Sequence, residues 1–421
     1  MNNSVNRFSI IKHQFNNGLR LIIIPASGLK NIFIQICIGA GSCQEKMASR
    51  GIAHLTEHLV VGNYIYRKFR HESKNILASL EKCTASTNFD YTLFTIKIVP
   101  KKAYLTIKDA LNTWLSMENF SEKRIFSAKK NIDLERKRKI HKEAAGRLYE
   151  ELYKVAYRKH PYQWYTMGQK RDYLKLTVKD VLRFYRSYYA PNNIVMTVYG
   201  PVSPAKLIKC LNKQINAIKS RVLPRQNILP EPAQKRPRYR TIVSNITDNE
   251  LLLVGYKIPP LGHLCRAGLT VLNFMLFRRD SEFRKLLAKK KGQIKYAFGY
   301  LPPTKYVGLF EIIFSMPRGY NAQPVKDAFF NIIGKYATGK ISTNALEAAK
   351  RMALQELNQI KGKPTIFSEY LTIYETLLNN YSAFFDYQDS IRNMNKNSLI
   401  LSLINITQKN HMTAVTIKPK K

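Results

Sequence analysis

The chain is short of acidic residues. Its 421 residues include 28 Asp and Glu against 69 Lys and Arg, a net charge of +41. Cysteine is sparse too. Cys37, Cys43, Cys83, Cys210 and Cys265 are odd in number, irregularly spaced and form no C-x-x-C. That pattern excludes a disulfide framework and a cysteine-based zinc site, and leaves buried thiols. No apolar run reaches the roughly 18 residues of a membrane-spanning helix, so no transmembrane segment is expected. Residues 1–15 are polar and lack the apolar core of a signal peptide. A cytoplasmic protein is the expectation; a removed leader would redirect it to the periplasm or an organelle.

A positive excess of this size raises nucleic acid or an anionic membrane as a partner. Lys and Arg are nevertheless spread along the whole chain, and no nucleic-acid motif accompanies them. The favoured reading is a drift of composition over a solvated surface, with no specific nucleic acid bound. Hydrophobic content of 45% is ordinary for a globular protein. The length suits two or three domains with sizeable cores.

Alternation of apolar runs and turn signals predicts the elements. Leu21–Ile24 and Ile32–Ile38, split by Pro25-Ala26-Ser27-Gly28, read as a strand pair with a turn. Strands follow at Thr92–Val99 and Ile194–Val198. Helical periodicity covers Ala103–Leu115, Glu122–Tyr157 and Thr177–Tyr188, the last with Thr177 as N-cap and Asp180 three residues on. Residues 220–240 hold Pro224, Pro230, Pro232 and Pro237 among charges, a linker signature. The second half repeats the first half's grammar. Strands are expected at Leu251–Tyr256, Val307–Phe314 and His411–Ile417, and helices at His263–Phe277, Val325–Tyr336 and Thr343–Ile360. We expect an α+β chain of two similar domains, 1–219 and 241–421, joined by the linker. Each would be a mostly antiparallel sheet with helices packed on it.

One pentapeptide carries chemistry. His54-Leu55-Thr56-Glu57-His58 reads H-x-x-E-H. On a helix the two histidines lie one turn apart on one face, and Glu57 points to the same side. With 8 His and at most 28 Glu in the chain, chance supplies only about 0.01 such matches. The arrangement is the zinc-hydrolase pattern with the order of H-E-x-x-H reversed. His54 and His58 are two ligands, and Glu57 suits a general base. The third ligand must come from elsewhere. Glu135 is the candidate, with Asp133, Glu143, Glu150 and Glu151 competing on sequence alone.

At these residues the chain resembles the pitrilysin family of zinc metallopeptidases, the inverzincins, in its two-domain type. Asn17-Gly18-Leu19-Arg20, Gly39-Ala40-Gly41-Ser42, Gly51–His58, His160-Pro161-Tyr162 with Gly168, and Tyr188–Asn193 ending in Gly200 carry the resemblance over nearly the whole chain. It implies one Zn2+ per chain on His54, His58 and a distal glutamate. The 77-residue gap from His58 selects Glu135. It also implies Glu57 as the base of an endopeptidase, and two homologous domains that close as a clamshell over an extended peptide. Thr84-Ala85-Ser86-Thr87 resembles the family's strand edge, to which the peptide is added.

Three positions depart from the pattern. Ala128 stands where the family often has a second glutamate. Thr84 replaces an asparagine. Lys289 stands in the arginine position of an Arg-Tyr pair that grips substrate, whereas Tyr296 is kept; lysine lacks the planar fork of arginine. The resemblance therefore implies the zinc-bearing chain of a heterodimer whose homologous partner carries the Arg-Tyr pair. The alternative is a non-proteolytic structural or assembly subunit of the same fold.

Overall fold

The computed structural model describes residues 9–71, 80–101, 103–115, 120–288 and 294–420. The chain divides into two compact units. The first comprises Met1–Ile132, Thr166–Asn227 and Lys361–Tyr381; the second comprises Asp133–Tyr165, Ile228–Ile360 and Ser382–Lys421. One crossing, after Asn227, falls within the proline-rich segment 220–240. The segments 133–165 and 361–381 are excursions, each joining the unit built mainly from the other half of the sequence.

The first unit holds β1 (Ile11–Gln14), β2 (Arg20–Pro25), β3 (Ile32–Ile38), β4 (Leu80–Thr87), β5 (Thr92–Ile98) and β6 (Ile194–Gly200). They form one sheet in the order β1-β2-β6-β3-β5-β4. Only β2 and β6 run parallel. The expected pairing of 21–24 with 32–38 is not made, because β6 lies between them. Every residue of β6 is buried. A strand apolar on both faces belongs in the middle of a sheet, and that need overrides sequence adjacency.

The second unit holds β7 (Arg238–Ser244), β8 (Glu250–Ile258), β9 (Tyr296–Tyr300), β10 (Gly308–Met316) and β11 (Met412–Pro419), ordered β7-β11-β8-β10-β9. Setting β1 aside, both sheets place their strands in the same sequence: first, fifth, second, fourth, third. In both, the first and fifth strands are the one parallel pair. The expected architecture is therefore present: an α+β chain with two like-built, mostly antiparallel sheets and helices packed on them.

The two excursions supply covering helices. In the first unit, helix Pro364–Leu378 packs on β3 and β6. Gln35, wholly buried on β3, donates to Thr365 O at 3.1 Å and accepts from Thr95 Oγ1 at 2.6 Å; Thr372 donates to Thr197 at 2.7 Å. In the second unit, helix Ala144–Ala156 packs on β8 and β11. Its Tyr153 donates to buried Glu311 of β10 at 2.5 Å. Its Leu152 packs closely on Gly255, where an added Cβ would lie 3.2 Å from Leu152 Cδ2.

Helix Ile52–His71, which carries the pentapeptide, is anchored by its first turns. Ile52, Leu55, Leu59 and Val60 join Phe94, Ile96, Trp114 and Met196 in the first unit's core. Each such buried aliphatic contributes roughly 1.5–3 kcal/mol over exposure. Among the described residues no helix is long and apolar enough to cross a membrane.

Candidate metal centre

The start of the pentapeptide helix is held from outside the helix. Glu45 Oε2 accepts from Gly51 N at 2.8 Å and Oε1 accepts from Ala53 N at 3.0 Å. Two N–H groups of the first turn, which no residue within the helix can satisfy, are thereby paired. The side chain also stands at the positive end of the helix dipole, which favours its ionised form. Loss of solvent pushes the Glu45 carboxyl up to about 8, against the pull of those two N–H groups and of Arg50. Gly51 has φ +91 and Gly168 φ +63, and a Cβ on Gly168 would lie 2.4 Å from Gly51 Cα. Both positions need glycine, for conformation and for approach.

His54 and Glu57 are buried and His58 is half-buried. The Nε2 atoms of His54 and His58 are 3.2 Å apart. A tetrahedral ion with nitrogen ligands at 2.0–2.1 Å holds such nitrogens about 3.3–3.4 Å apart, so the pair fits that edge. Ligand atoms of His54, Glu57 and His58 all lie within 4.8 Å of one another. Two imidazoles and a carboxylate, converging with little solvent, suit a borderline-soft divalent cation such as zinc.

Glu57 has a hydrogen-bond partner that the sequence does not point to. Thr87 Oγ1 donates to Glu57 Oε2 at 2.7 Å. Tyr189 is buried, and its hydroxyl is held well above its ordinary pKa by burial and by the charge of Glu57. Tyr189 therefore stays protonated. It lies in the Tyr188–Asn193 landmark.

Thr84, Ala85, Ser86 and Thr87 all lie on β4, the outer strand of the first sheet. They pair with Thr95, Phe94, Leu93 and Thr92 of β5. Cys83 and Ala85 pack against the core, whereas Thr84 and Ser86 are exposed. By the period of two, Thr87 shares the inner face.

Glu135 belongs to the second unit, in the last turn of helix Glu122–Arg136, and forms an ion pair with Lys139 at 2.6 Å. Of its competitors, Glu150 pairs with Arg136 at 2.5 Å and Glu151 with Arg147 at 3.5 Å. Ala128 is buried in the first unit's apolar cluster. Tyr296 begins β9, the outer strand of the second sheet, and is exposed. Lys289 lies outside the described residues.

Residues 25–170 match the family described as Insulinase (Peptidase family M16), and residues 175–353 match the Peptidase M16 inactive domain. The chain is 24% identical over 420 residues to the zinc protease PqqE of Helicobacter pylori, covering 97% of this chain and 93% of that protein. It is 23% identical over 227 residues to a probable mitochondrial-processing peptidase subunit beta of Schizosaccharomyces pombe, covering 53% of this chain and 48% of that protein. Its fold is that of a solved protease from Helicobacter pylori, with a TM-score of 0.87 at 22% identity over 98% of this chain and all of the other. With both halves matched in order and the H-x-x-E-H helix in place, the chain belongs to the M16, or pitrilysin, family of peptidases.

Proposed function

We propose that the chain is a zinc-dependent endopeptidase of peptides or short unfolded segments, and the zinc-bearing subunit of a heterodimer. The observation that carries this reading is the 3.2 Å approach of His54 and His58 with Glu57 beside them. His54, His58 and Glu135 hold one zinc ion. Bound there, the ion supplies Lewis acidity and a water acidified toward neutral pH. Glu57 accepts a proton from the attacking water and hands it to the leaving amine. β4 receives the substrate as an added strand through Thr84–Thr87. Tyr296 contributes to substrate binding with Lys289, and the homologous partner brings the Arg-Tyr pair. The relative named as a subunit supports a two-chain enzyme.

Zinc content and one substitution test this. Purified protein should carry about one equivalent per chain, and Glu57→Gln should keep the metal and stop peptide cleavage. Retained cleavage in that variant refutes the role of Glu57. The second reading is a structural subunit, which Ala128, Lys289 and the match of 175–353 to a domain described as inactive support. Under metal-replete conditions that reading predicts no bound zinc. Copurification from the native host tests for a partner of similar length.

A further inference from the structure

We infer that Thr87 is a positioning residue that ties the docking edge of the first sheet to Glu57. The inference rests on Glu57 as the base. Thr87 stands at the end of β4, and its hydroxyl donates across 30 residues of sequence to Glu57 Oε2 at 2.7 Å. Hydrogen bonds to an ionised acceptor are short and strong, and this one occupies a single carboxylate oxygen. The bond restrains rotation of Glu57 and leaves Oε1 to take up the proton.

The hydroxyl is itself well held. Thr87 is β-branched, which restricts its side-chain torsion, and it is in register with Thr92. Thr92 Oγ1 donates to Ala40 O at 2.8 Å, in the glycine-rich segment before the helix. Asn88 O and Phe89 O, in the turn after β4, accept from Ser42 N and Cys43 N at 3.0 and 2.8 Å. The end of β4 is thus fixed to the lead-in of the helix that carries Glu57. A peptide pairing along β4 lies on the same strand that orients the base.

The experiment compares Thr87→Val, which keeps the shape and loses the donor, with Thr87→Ser, which keeps the donor. In the zinc-loaded full chain with its copurified partner, cleavage of an internally quenched peptide should fall ~10–100-fold in kcat for Thr87→Val, at unchanged KM. Thr87→Ser should restore most of the rate. A change confined to KM makes Thr87 a docking residue only and overturns the inference. A second readout needs no activity. In metal-free protein, thermal unfolding of Thr87→Val, Glu57→Ala and the double variant should show coupling, the double losing less than the two singles together. Additive losses overturn the inference. Cleavage surviving in Glu57→Gln sinks the base assignment itself; loss there with an unaffected Thr87→Val sinks only the role of Thr87.

Discussion

His54 Nε2 and His58 Nε2 approach to 3.2 Å with their rings nearly perpendicular, at 78°. The helix sets this relationship, since residues four apart stack on one face. Two imidazoles sharing one proton reach a similar distance, so the pair alone does not require a metal. Glu57, with its carboxylate in the same cluster, is what favours a cation. His58→Ala should therefore abolish stoichiometric zinc while leaving the fold, because His58 is half-buried and outside the core cluster. Metal analysis and circular dichroism check both halves of that statement. Added zinc should raise the melting temperature of the wild type and not of the variant, since binding to the native state alone stabilises it.

Glu45 gives a prediction about the start of the same helix. Glu45→Ala removes both acceptors that pair Gly51 N and Ala53 N. Loss of a cap costs about 1–2 kcal/mol. Ala53 precedes His54, so the first turn loosens where His54 stands. We expect a lower melting temperature and weaker zinc affinity together. A change in melting temperature with zinc affinity untouched would show that the cap supports the fold without placing His54.

Glu311 sets a pH dependence in the second unit. Burial raises its carboxyl to about 8, with Tyr153 donating against that shift. The native state therefore keeps a proton that the unfolded chain releases near the ordinary carboxylate value. The native state binds more protons between those limits, so stability falls as pH rises through them, by up to ~1.4 kcal/mol per pH unit. Above about 8 the dependence from this group ends. Glu311→Gln keeps the shape and removes the titration. Melting temperatures of wild type and variant from pH 5 to pH 9 should diverge progressively, the variant gaining on the wild type; parallel curves would refute the assignment.

Much of this was legible in the sequence. The pentapeptide helix, Ala103–Leu115 and the Thr177 cap with its Asp180 box match closely, because each is specified by residues within one or two turns. Strand partners were less legible. β6 separates β2 from β3, which depends on a strand more than 150 residues away. The proline-rich linker expected at 220–240 overlaps the start of β7 at Arg238, and that strand carries no apolar run to mark it because its residues are mostly exposed or half-buried. Helix Glu122–Tyr157 was read as continuous, yet it changes to a π-helix at Lys137–Lys142 and breaks at Glu143. Glu45 escaped notice because capping patterns lie at the helix start, and this cap arrives from six residues before Gly51. The clustering of His54, Glu57 and His58 was legible from their helical spacing; the hydroxyl of Thr87 on Glu57 comes from distant chain.

Glu375 shows how an excursion from the far end of the chain is held in the first unit. Its side chain is wholly buried and meets Lys12 Nζ at 2.8 Å and Arg20 Nη1 at 3.2 Å; Tyr381 N donates to its other oxygen at 3.1 Å. Arg20 also donates to Glu375 O at 2.9 Å and to Asn379 Oδ1 at 2.7 Å. β1, β2 and the end of helix Pro364–Leu378 are thus joined through one carboxylate. Glu375→Ala leaves the mostly buried guanidinium of Arg20 without its counter-charge, and breaking a buried pair costs about 3–5 kcal/mol. The lower end applies here, since Lys12 is one-third exposed and solvent screens it. Urea unfolding should show that loss. Replacing both partners, Arg20→Met with Glu375→Leu, should recover most of it, because a well-packed apolar pair can match a buried ion pair. No recovery would mean that the backbone contacts of Arg20 and Tyr381, rather than the charge pair, hold the helix on the sheet.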